Sequence, residues 1–320
     1  MKWRTEVSIP SGSCPIGYHN PVLLLGSCFA THLSEKLSYY QFPCLSNPFG
    51  VVFHPLPIEN LIRRAVESRE FTADDVLESQ GRWVCLEVHS SLSGGSAVEA
   101  LQQLNQALKK LKQALERTTH TVLTLGTAYG FRHLSTGQLV ANCHKLPGGD
   151  FGRELSSPDA LKESLSRILT LLRSFRRDMS CLLTVSPVRH IRDGLVENQR
   201  GKAHLITAVQ ALVDQGAAEY FPSYELFMDE LRDYRFYDRD LIHPSEAAVD
   251  YVWERFEQAW IDPEARPVMK EVAAIRKGLA HRPLHGNTPE HQKFREALHL
   301  QIQKLQNRFP HMDFGNEGSD

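Results

Sequence analysis

The sequence predicts an α/β fold built on a parallel sheet, and three observations carry that reading. Short apolar runs alternate with helical patterns from Pro21 to Trp260. The runs are strand-sized, and two of them lead straight into glycine, at Leu25-Gly26-Ser27 and Leu125-Gly126-Thr127. At 320 residues, 42% hydrophobic and 23% charged, the chain has an ordinary globular composition and is long enough for one large core plus an appendage. Alternation of this kind puts helices on both faces of a parallel sheet and ligands at the carboxyl ends of its strands.

The elements follow in order. Pro21 to Leu25 reads as a compact strand ending at Gly26, and Phe29 to Tyr39 as a helix with one apolar side. A second apolar run, Phe42 to Leu45, enters the loop Ser46-Asn47-Pro48-Phe49-Gly50. Pro57 to Glu67 is expected to be helical with proline in its first turn, and Arg82 to Val88 to be a short strand. From Val98 to Arg117, leucines at 101, 104, 108, 111 and 115 keep the i, i+3/i+4 spacing of an amphipathic helix. The heptads are too few to favour a coiled coil over a helix packed on the sheet. His120 to Leu125 is a β-branched strand, Pro158 to Arg176 a helix and Cys181 to Val185 a strand. His204 to Gln215 is a helix, Ala217 to Phe221 a short strand and Ser245 to Trp260 the last helix of the series. Pro263 to Pro267 breaks the pattern. The chain therefore divides into a sheet domain, residues 1–262, and a helical extension, residues 263–320. The extension is expected to hold helices Val268 to Leu279 and Pro289 to Arg308, joined by a Pro/Gly/Asn loop, with a disordered tail from Asn316 to Asp320.

Composition excludes several functions. A net charge of −2, with no basic tract interleaved with aromatics, gives no footprint for nucleic acid. The run Leu231 to Arg239 alternates charges and aromatics, but it reads as a salt-bridged surface with half-buried tyrosines. Cys14, Cys28, Cys44, Cys85, Cys143 and Cys181 are scattered without a C-x-x-C pair, so neither a zinc site nor a disulfide framework is expected. The N-terminus lacks the apolar core of a signal peptide, and no stretch reaches membrane-spanning length. A cytoplasmic protein without membrane, metal or organic cofactor is expected.

Two segments carry chemistry. Gly26-Ser27-Cys28-Phe29-Ala30 follows the first strand, where a glycine permits a sharp turn. Ser27 then sits at a strand's carboxyl end and a helix N-terminus, whose N–H groups favour a nearby anion. Serine is also a common helix cap, so this segment alone does not decide. Cys28 is the competing nucleophile, because a thiol at a helix N-terminus is reactive. We prefer Ser27, since the position after the turn more often points into helix packing. The second segment is Asp240-Leu241-Ile242-His243-Pro244-Ser245. Its spacing lets one loop present a carboxylate to imidazole Nδ1–H, leaving Nε2 for a nucleophile elsewhere.

Taken together, these segments resemble the first and last blocks of the SGNH/GDSL hydrolases, which supply the nucleophile and the acid–base pair. The resemblance narrows further, because Gly26-Ser27-Cys28-Phe29-Ala30 spells the name of the GSCFA family, a bacterial group in the SGNH-like clan. Other segments are similar to that family in the same order: Asn47-Pro48-Phe49-Gly50, Thr124-Leu125-Gly126-Thr127-Ala128, Asn142-Cys143-His144-Lys145, the run from Thr184 to His190, and the run from Leu231 to Tyr237. The similarity spans roughly Leu24 to Phe256. It implies a three-layer α/β/α sandwich around a five-stranded parallel, flavodoxin-like sheet, with the C-terminal helices added. It also implies a serine esterase with Ser27 as nucleophile, His243 as base, Asp240 orienting it, and an acyl-enzyme intermediate. The expected partner is a small-molecule or glycan O-acyl ester. Acyl transfer to an alcohol or sugar shares that intermediate, and a ligand-binding protein without turnover is a third reading.

The oxyanion hole departs from the superfamily. There the donors are the serine N–H, a glycine N–H and an asparagine side chain. Ser27 and Gly50 are the expected first two, but Ala128 stands where the asparagine of the third block is expected. Losing one such donor costs about 3 kcal/mol of transition-state stabilisation. Asn142, then Asn47, then the Thr127 hydroxyl are candidates for its place, although an asparagine before proline also serves turns. Adjacent residues on an extended segment point opposite ways, which argues against Cys143 and His144 sharing a metal. His144 is kept as a substrate-pocket candidate together with Gly126, Arg189, His190 and His89. Arg189 suits an anionic group, and His89 precedes a Ser/Gly loop, Ser90 to Ser96, that suits a lid.

Overall fold

The computed structural model describes residues 5–281 and 288–315. Five strands form the central sheet, in the spatial order Glu219–Tyr220, Ser180–Val185, His120–Leu125, Val22–Gly26, Cys44–Ser46. Every neighbouring pair is parallel. Counted along the chain the order is 2-1-3-4-5, the flavodoxin-like arrangement. The switch point lies between Val22–Gly26 and His120–Leu125, from which the chain leaves toward opposite edges. A crevice at the carboxyl ends of these two strands is where such sheets bind ligands.

Strand alternation sorts the side chains into two cores. Leu23 and Leu25, with Leu123, Leu125, Leu183 and Val185, face the helices Pro55–Glu67, Ala97–Arg117, Pro158–Phe175 and Leu195–Val213. Val22 and Leu24, with Val122 and Leu182, face the helices Cys28–Tyr39 and Glu246–Trp260. The second core continues without a break into the C-terminal extension. Val268, Met269, Val272 and Ile275 of the helix Arg266–Leu279 belong to it, as do Leu298 and Leu305 of Pro289–Arg308, and Phe309 and Phe314 beyond. Tyr18 stacks on Phe42 at 4.3 Å and meets Phe309 at 4.9 Å, while Arg276 Nε donates to the Tyr39 carbonyl at 2.6 Å. The extension thus shares its core with the sheet domain. The expected tail, Asn316 to Asp320, and most of the expected Pro/Gly/Asn loop lie outside the described residues.

Three local features differ from the sequence reading. The fifth helix of the sheet domain starts at Leu195, well before His204. Buried Asn198, Gly201 and Lys202 occupy its inner face and interrupt the apolar period that marks a helix. Arg82–Val84 does not join the main sheet; it pairs antiparallel with Leu77–Ser79. Between the third sheet strand and the helix Pro158–Phe175 lies an antiparallel insert of Tyr129–His133, Leu139–Val140 and Phe151–Leu155. Its faces are half exposed and carry the Arg132–Glu154 pair, so no apolar run announces it. Among the described residues no helix is long and apolar enough to cross a membrane, and all six cysteines are free.

The start of the helix Pro55–Glu67 makes the fold sensitive to acid. His54 caps it, accepting the Leu56 N–H at Nδ1, so the proton sits on Nε2 beside the Ala128 carbonyl and the Ser156 hydroxyl. Burial pushes its pKa down to about 4. The unfolded chain takes up a proton below about pH 6.5, while the folded chain resists until about pH 4. This contribution is therefore intact above pH 6.5 and is lost as pH falls toward 4, to a total of about 3 kcal/mol. Urea unfolding at pH 7.5 and 4.5 is expected to reveal the loss. His54→Asn keeps a capping oxygen and should flatten the dependence; equal pH slopes in both proteins would remove His54 as its source.

Candidate active site

The chemistry expected at the carboxyl edge begins with the turn after Val22–Gly26. Gly26 has φ +136°, and a Cβ there would lie 2.0 Å from the Thr124 carbonyl oxygen, so only glycine lets the chain leave the strand so close to its neighbour. Ser27 is the N-cap of Cys28–Tyr39. Its Oγ accepts the Phe29 N–H at 3.3 Å and pairs with the Thr124 hydroxyl at 3.3 Å. Its own N–H donates to the Thr124 carbonyl at 2.9 Å, and the residue is only 2% exposed. Cys28, by contrast, is half-buried.

Asp240 and His243 form the expected pair. His243 Nδ1 lies 2.6 Å from Asp240 Oδ2, while Asp240 Oδ1 accepts the N–H groups of Ile242 and His243. One carboxylate thus both shapes the loop and fixes the imidazole tautomer, with the proton on Nδ1. The hydrogen bond from His243, and then those two N–H groups, hold the Asp240 carboxyl down at about 2. The loop is clamped from the fourth sheet strand's exit. Arg189 N donates to the Ile242 carbonyl at 3.2 Å, and the Arg189 guanidinium lies 3.8 Å from the Tyr237 ring centre and reaches the Leu241 carbonyl. Among the described hydrogen bonds none engages His243 Nε2, and none joins it to Ser27 Oγ.

Most of the other nominated residues brace the fold. Gly50, with φ +72°, packs against His89, and its N–H closes a turn onto Asn47. Asn47 Oδ1 accepts the Gly26 N–H at 2.9 Å, so this asparagine fixes the turn rather than presenting a donor. Gly126 N–H donates to the Phe53 carbonyl, and the Thr127 hydroxyl accepts from Tyr129 N–H. The N–H groups of Ser27 and Gly50, expected as oxyanion donors, are therefore spent inside the fold. Asn142 Oδ1 accepts the His144 N–H at 2.8 Å, which leaves its Nδ2 amide. His144 is buried, with Nε2 bonded to the carbonyls of Cys85 and Val88 at 2.7 and 3.1 Å. It braces the loop behind the site and does not line the pocket as expected. His89 caps the turn Ser90–Leu92 through its own Nδ1, which ties down the segment expected to be a lid.

His190 lies near enough to the dyad for His243 to act on its ring. Its ring lies 4.8 Å from Phe53, and its buried Nε2 has no hydrogen-bond partner; a Cβ on Gly126 would come within 2.9 Å of it. Burial, then Lys202 and His243, push its pKa down to about 3, so the ring is neutral. Lys202 is a residue that sequence reasoning missed. It is fully buried, and its ammonium donates to the carbonyls of Gly126 and Ser186, each at 2.5 Å, at the ends of two neighbouring sheet strands. The sequence reading starts this helix only at His204, and a lysine in the charged segment before it reads as solvated, so no signal in the sequence marks it. Among the described residues no group of ligands fit for a metal ion occurs.

Comparison with known proteins bears on the fold and on both ends of the chain. No curated protein matches the sequence. Residues 272–319 match the C-terminal domain of GSCFA domain proteins, which covers most of the helical extension. Residues 21–256 match the GSCFA family, from the first sheet strand through the Asp240–His243 loop and into the helix behind it. That match spans well over half the chain, and the chain belongs to the GSCFA family.

Proposed function

We propose that the protein hydrolyses a carboxylic ester through a covalent acyl intermediate. The observation that carries this reading is the Asp240–His243 pair, held at 2.6 Å in a loop docked on Arg189 at the exit of the fourth sheet strand, the same carboxyl edge from which the Gly26-Ser27-Cys28 turn leaves. A nucleophile from that turn, for which the sequence nominates Ser27, attacks the acyl carbonyl. His243 Nε2 takes its proton and returns it to the leaving alcohol, while Asp240 stabilises the imidazolium. Water then releases the acid by the same route in reverse. The similarity of the two motifs to the SGNH hydrolases supports the same chemistry. Asn142 Nδ2 and the Cys28 N–H, which no described backbone acceptor takes, remain as oxyanion donors.

One observation favours the reading in which a ligand binds without turnover: the N–H groups of Ser27, Gly50 and Gly126 are all bonded internally. Hydrolysis of p-nitrophenyl acetate and butyrate separates the two. Saturable turnover well above that of an equal concentration of imidazole is expected. Folded protein that hydrolyses neither ester, nor longer homologues, leaves ligand binding as the function.

A further inference from the structure

Resting on the acyl-transfer reading above, we propose that the inner face of the helix Leu195–Val213 is a polar clasp, in which Asn198 and Lys202 are positioning residues for the Asp240–His243 loop.

The spacing of the clasp is helical. Asn198, Gly201 and Lys202 stand at i, i+3 and i+4, so they share one face, and all three are buried. Each holds a different piece of the sheet's carboxyl edge. Asn198 Oδ1 accepts the His190 N–H at 2.8 Å. Gly201 lets the helix approach the exit of the third sheet strand: a Cβ there would lie 2.7 Å from the Thr127 hydroxyl and 3.4 Å from Ala128 N. Lys202 Nζ donates to the carbonyls of Gly126 and Ser186, each at 2.5 Å, and so ties the ends of the third and fourth sheet strands together.

The same face turns apolar further along the helix. Leu205, Ala208, Val209 and Leu212 belong to the core beneath the sheet. Polar and glycine residues are thus confined to the end of the helix that meets the strand exits. That choice costs stability, since a glycine weakens a helix interior and a buried lysine gains little over an apolar side chain of similar size. Among the described residues no carboxylate pairs with Lys202. Burial pulls its pKa down to about 7. The neutral amine still carries the two protons that the two carbonyls take, so the clasp holds in either state.

What the clasp holds is the seat of the dyad. Ser186 is fixed at its carbonyl by Lys202, and His190 at its N–H by Asn198. Arg189 lies between these two anchors. Its N–H donates to the Ile242 carbonyl at 3.2 Å, and its guanidinium reaches the Leu241 carbonyl. Leu241 and Ile242 are the two residues between Asp240 and His243. The contact between carboxylate and imidazole is made within the loop, but the place of that loop on the sheet edge is set through Arg189. A loop displaced by a fraction of its length keeps its dyad and loses its aim at the nucleophile.

The test reads motion and turnover separately. Lys202→Met and Asn198→Leu keep most of each side chain's bulk and remove its polar atoms. Hydrogen–deuterium exchange, resolved by peptide, is expected to quicken about tenfold at Arg189 and over residues 238–243 in both variants, while the helix Pro158–Phe175 keeps its native rate. With p-nitrophenyl acetate, kcat of folded Lys202→Met should fall on the order of 100-fold, with KM changed less than about twofold. Should Lys202→Met fail to fold, Asn198→Leu carries both readouts. Native exchange over 238–243 in the folded variants overturns the proposal, and so does an equal rise throughout the chain, which marks a structural role alone. Native kcat in a variant whose loop exchanges faster overturns it as well. Native protein that hydrolyses no ester refutes the acyl-transfer reading instead, and the exchange arm still decides whether the clasp holds the loop.

Discussion

Replacing His243 by alanine is expected to lower kcat/KM for ester hydrolysis on the order of 10⁴-fold, with little change in folding stability. The two effects separate because of where the residue sits. His243 is 42% exposed, and its one described side-chain partner is Asp240, so its removal opens no cavity and orphans no buried group. Chemistry suffers because His190 cannot take its place: burial, then Lys202 and His243, push its pKa down to about 3, which makes it a far weaker base, and its Nε2 is buried against Gly126. Asp240→Asn should show a loss of similar order for a different reason. An amide at Oδ2 turns a donor toward Nδ1 and stabilises the tautomer whose Nε2 carries the proton and cannot accept one. The remaining oxygen still takes the N–H groups of Ile242 and His243, so the loop keeps its shape. Since the native carboxyl titrates only near pH 2, its charge persists at any higher working pH and disappears only as pH falls through that value. Exposure of the site also predicts that added imidazole restores part of the activity of His243→Ala but none of that of Asp240→Asn. A His243→Ala protein retaining more than a tenth of the native rate would remove the dyad from the mechanism.

The dyad was legible in the sequence because it is local. Asp-x-x-His needs only its own loop to bring carboxylate and imidazole together, and the observed 2.6 Å contact is made within that loop. The parallel sheet was legible for a related reason: each apolar run and each amphipathic stretch carries its own period. The choice between Ser27 and Cys28 was not local. Which side chain turns inward depends on Gly26 at φ +136° and on Thr124, almost a hundred positions away, whose carbonyl and hydroxyl take both polar groups of Ser27. The fate of the oxyanion donors is likewise tertiary, since Gly126 N–H finds its acceptor on Phe53. Lys202 lay furthest from view. Only the assembled sheet, with the carbonyls of Gly126 and Ser186 converging at its edge, gives a lysine on a helix an interior place.

Replacing Arg64 by methionine is expected to cost about 3–5 kcal/mol of stability, the largest effect anticipated for a residue outside the site. Arg64 is 1% exposed on the helix Pro55–Glu67. Its guanidinium grips Glu87 through two bonds of 2.9 and 2.7 Å, holds Asp75 at 2.5 Å, and lies 4.1 Å from the centre of the Phe71 ring. Both carboxylates are only about a fifth exposed, so without the arginine they lose their counter-ion where water compensates poorly. If that is the source of the cost, adding Glu87→Gln to Arg64→Met should recover part of it, because the orphaned charge is then gone; urea unfolding of the native, single and double variants measures the coupling. The consequence reaches the site. Glu87 lies in the segment that supplies the Cys85 and Val88 carbonyls to His144, the Leu86 carbonyl to Asn142 N–H, and the His89 N–H to Phe49 in the Gly50 loop. Anchoring that segment anchors Asn142 and Gly50 together, so activity in Arg64→Met should fall even where the protein remains folded. A cost below about 1 kcal/mol would mean that solvent already screens the pair, and that the loops behind the site are held by the His144 bonds alone.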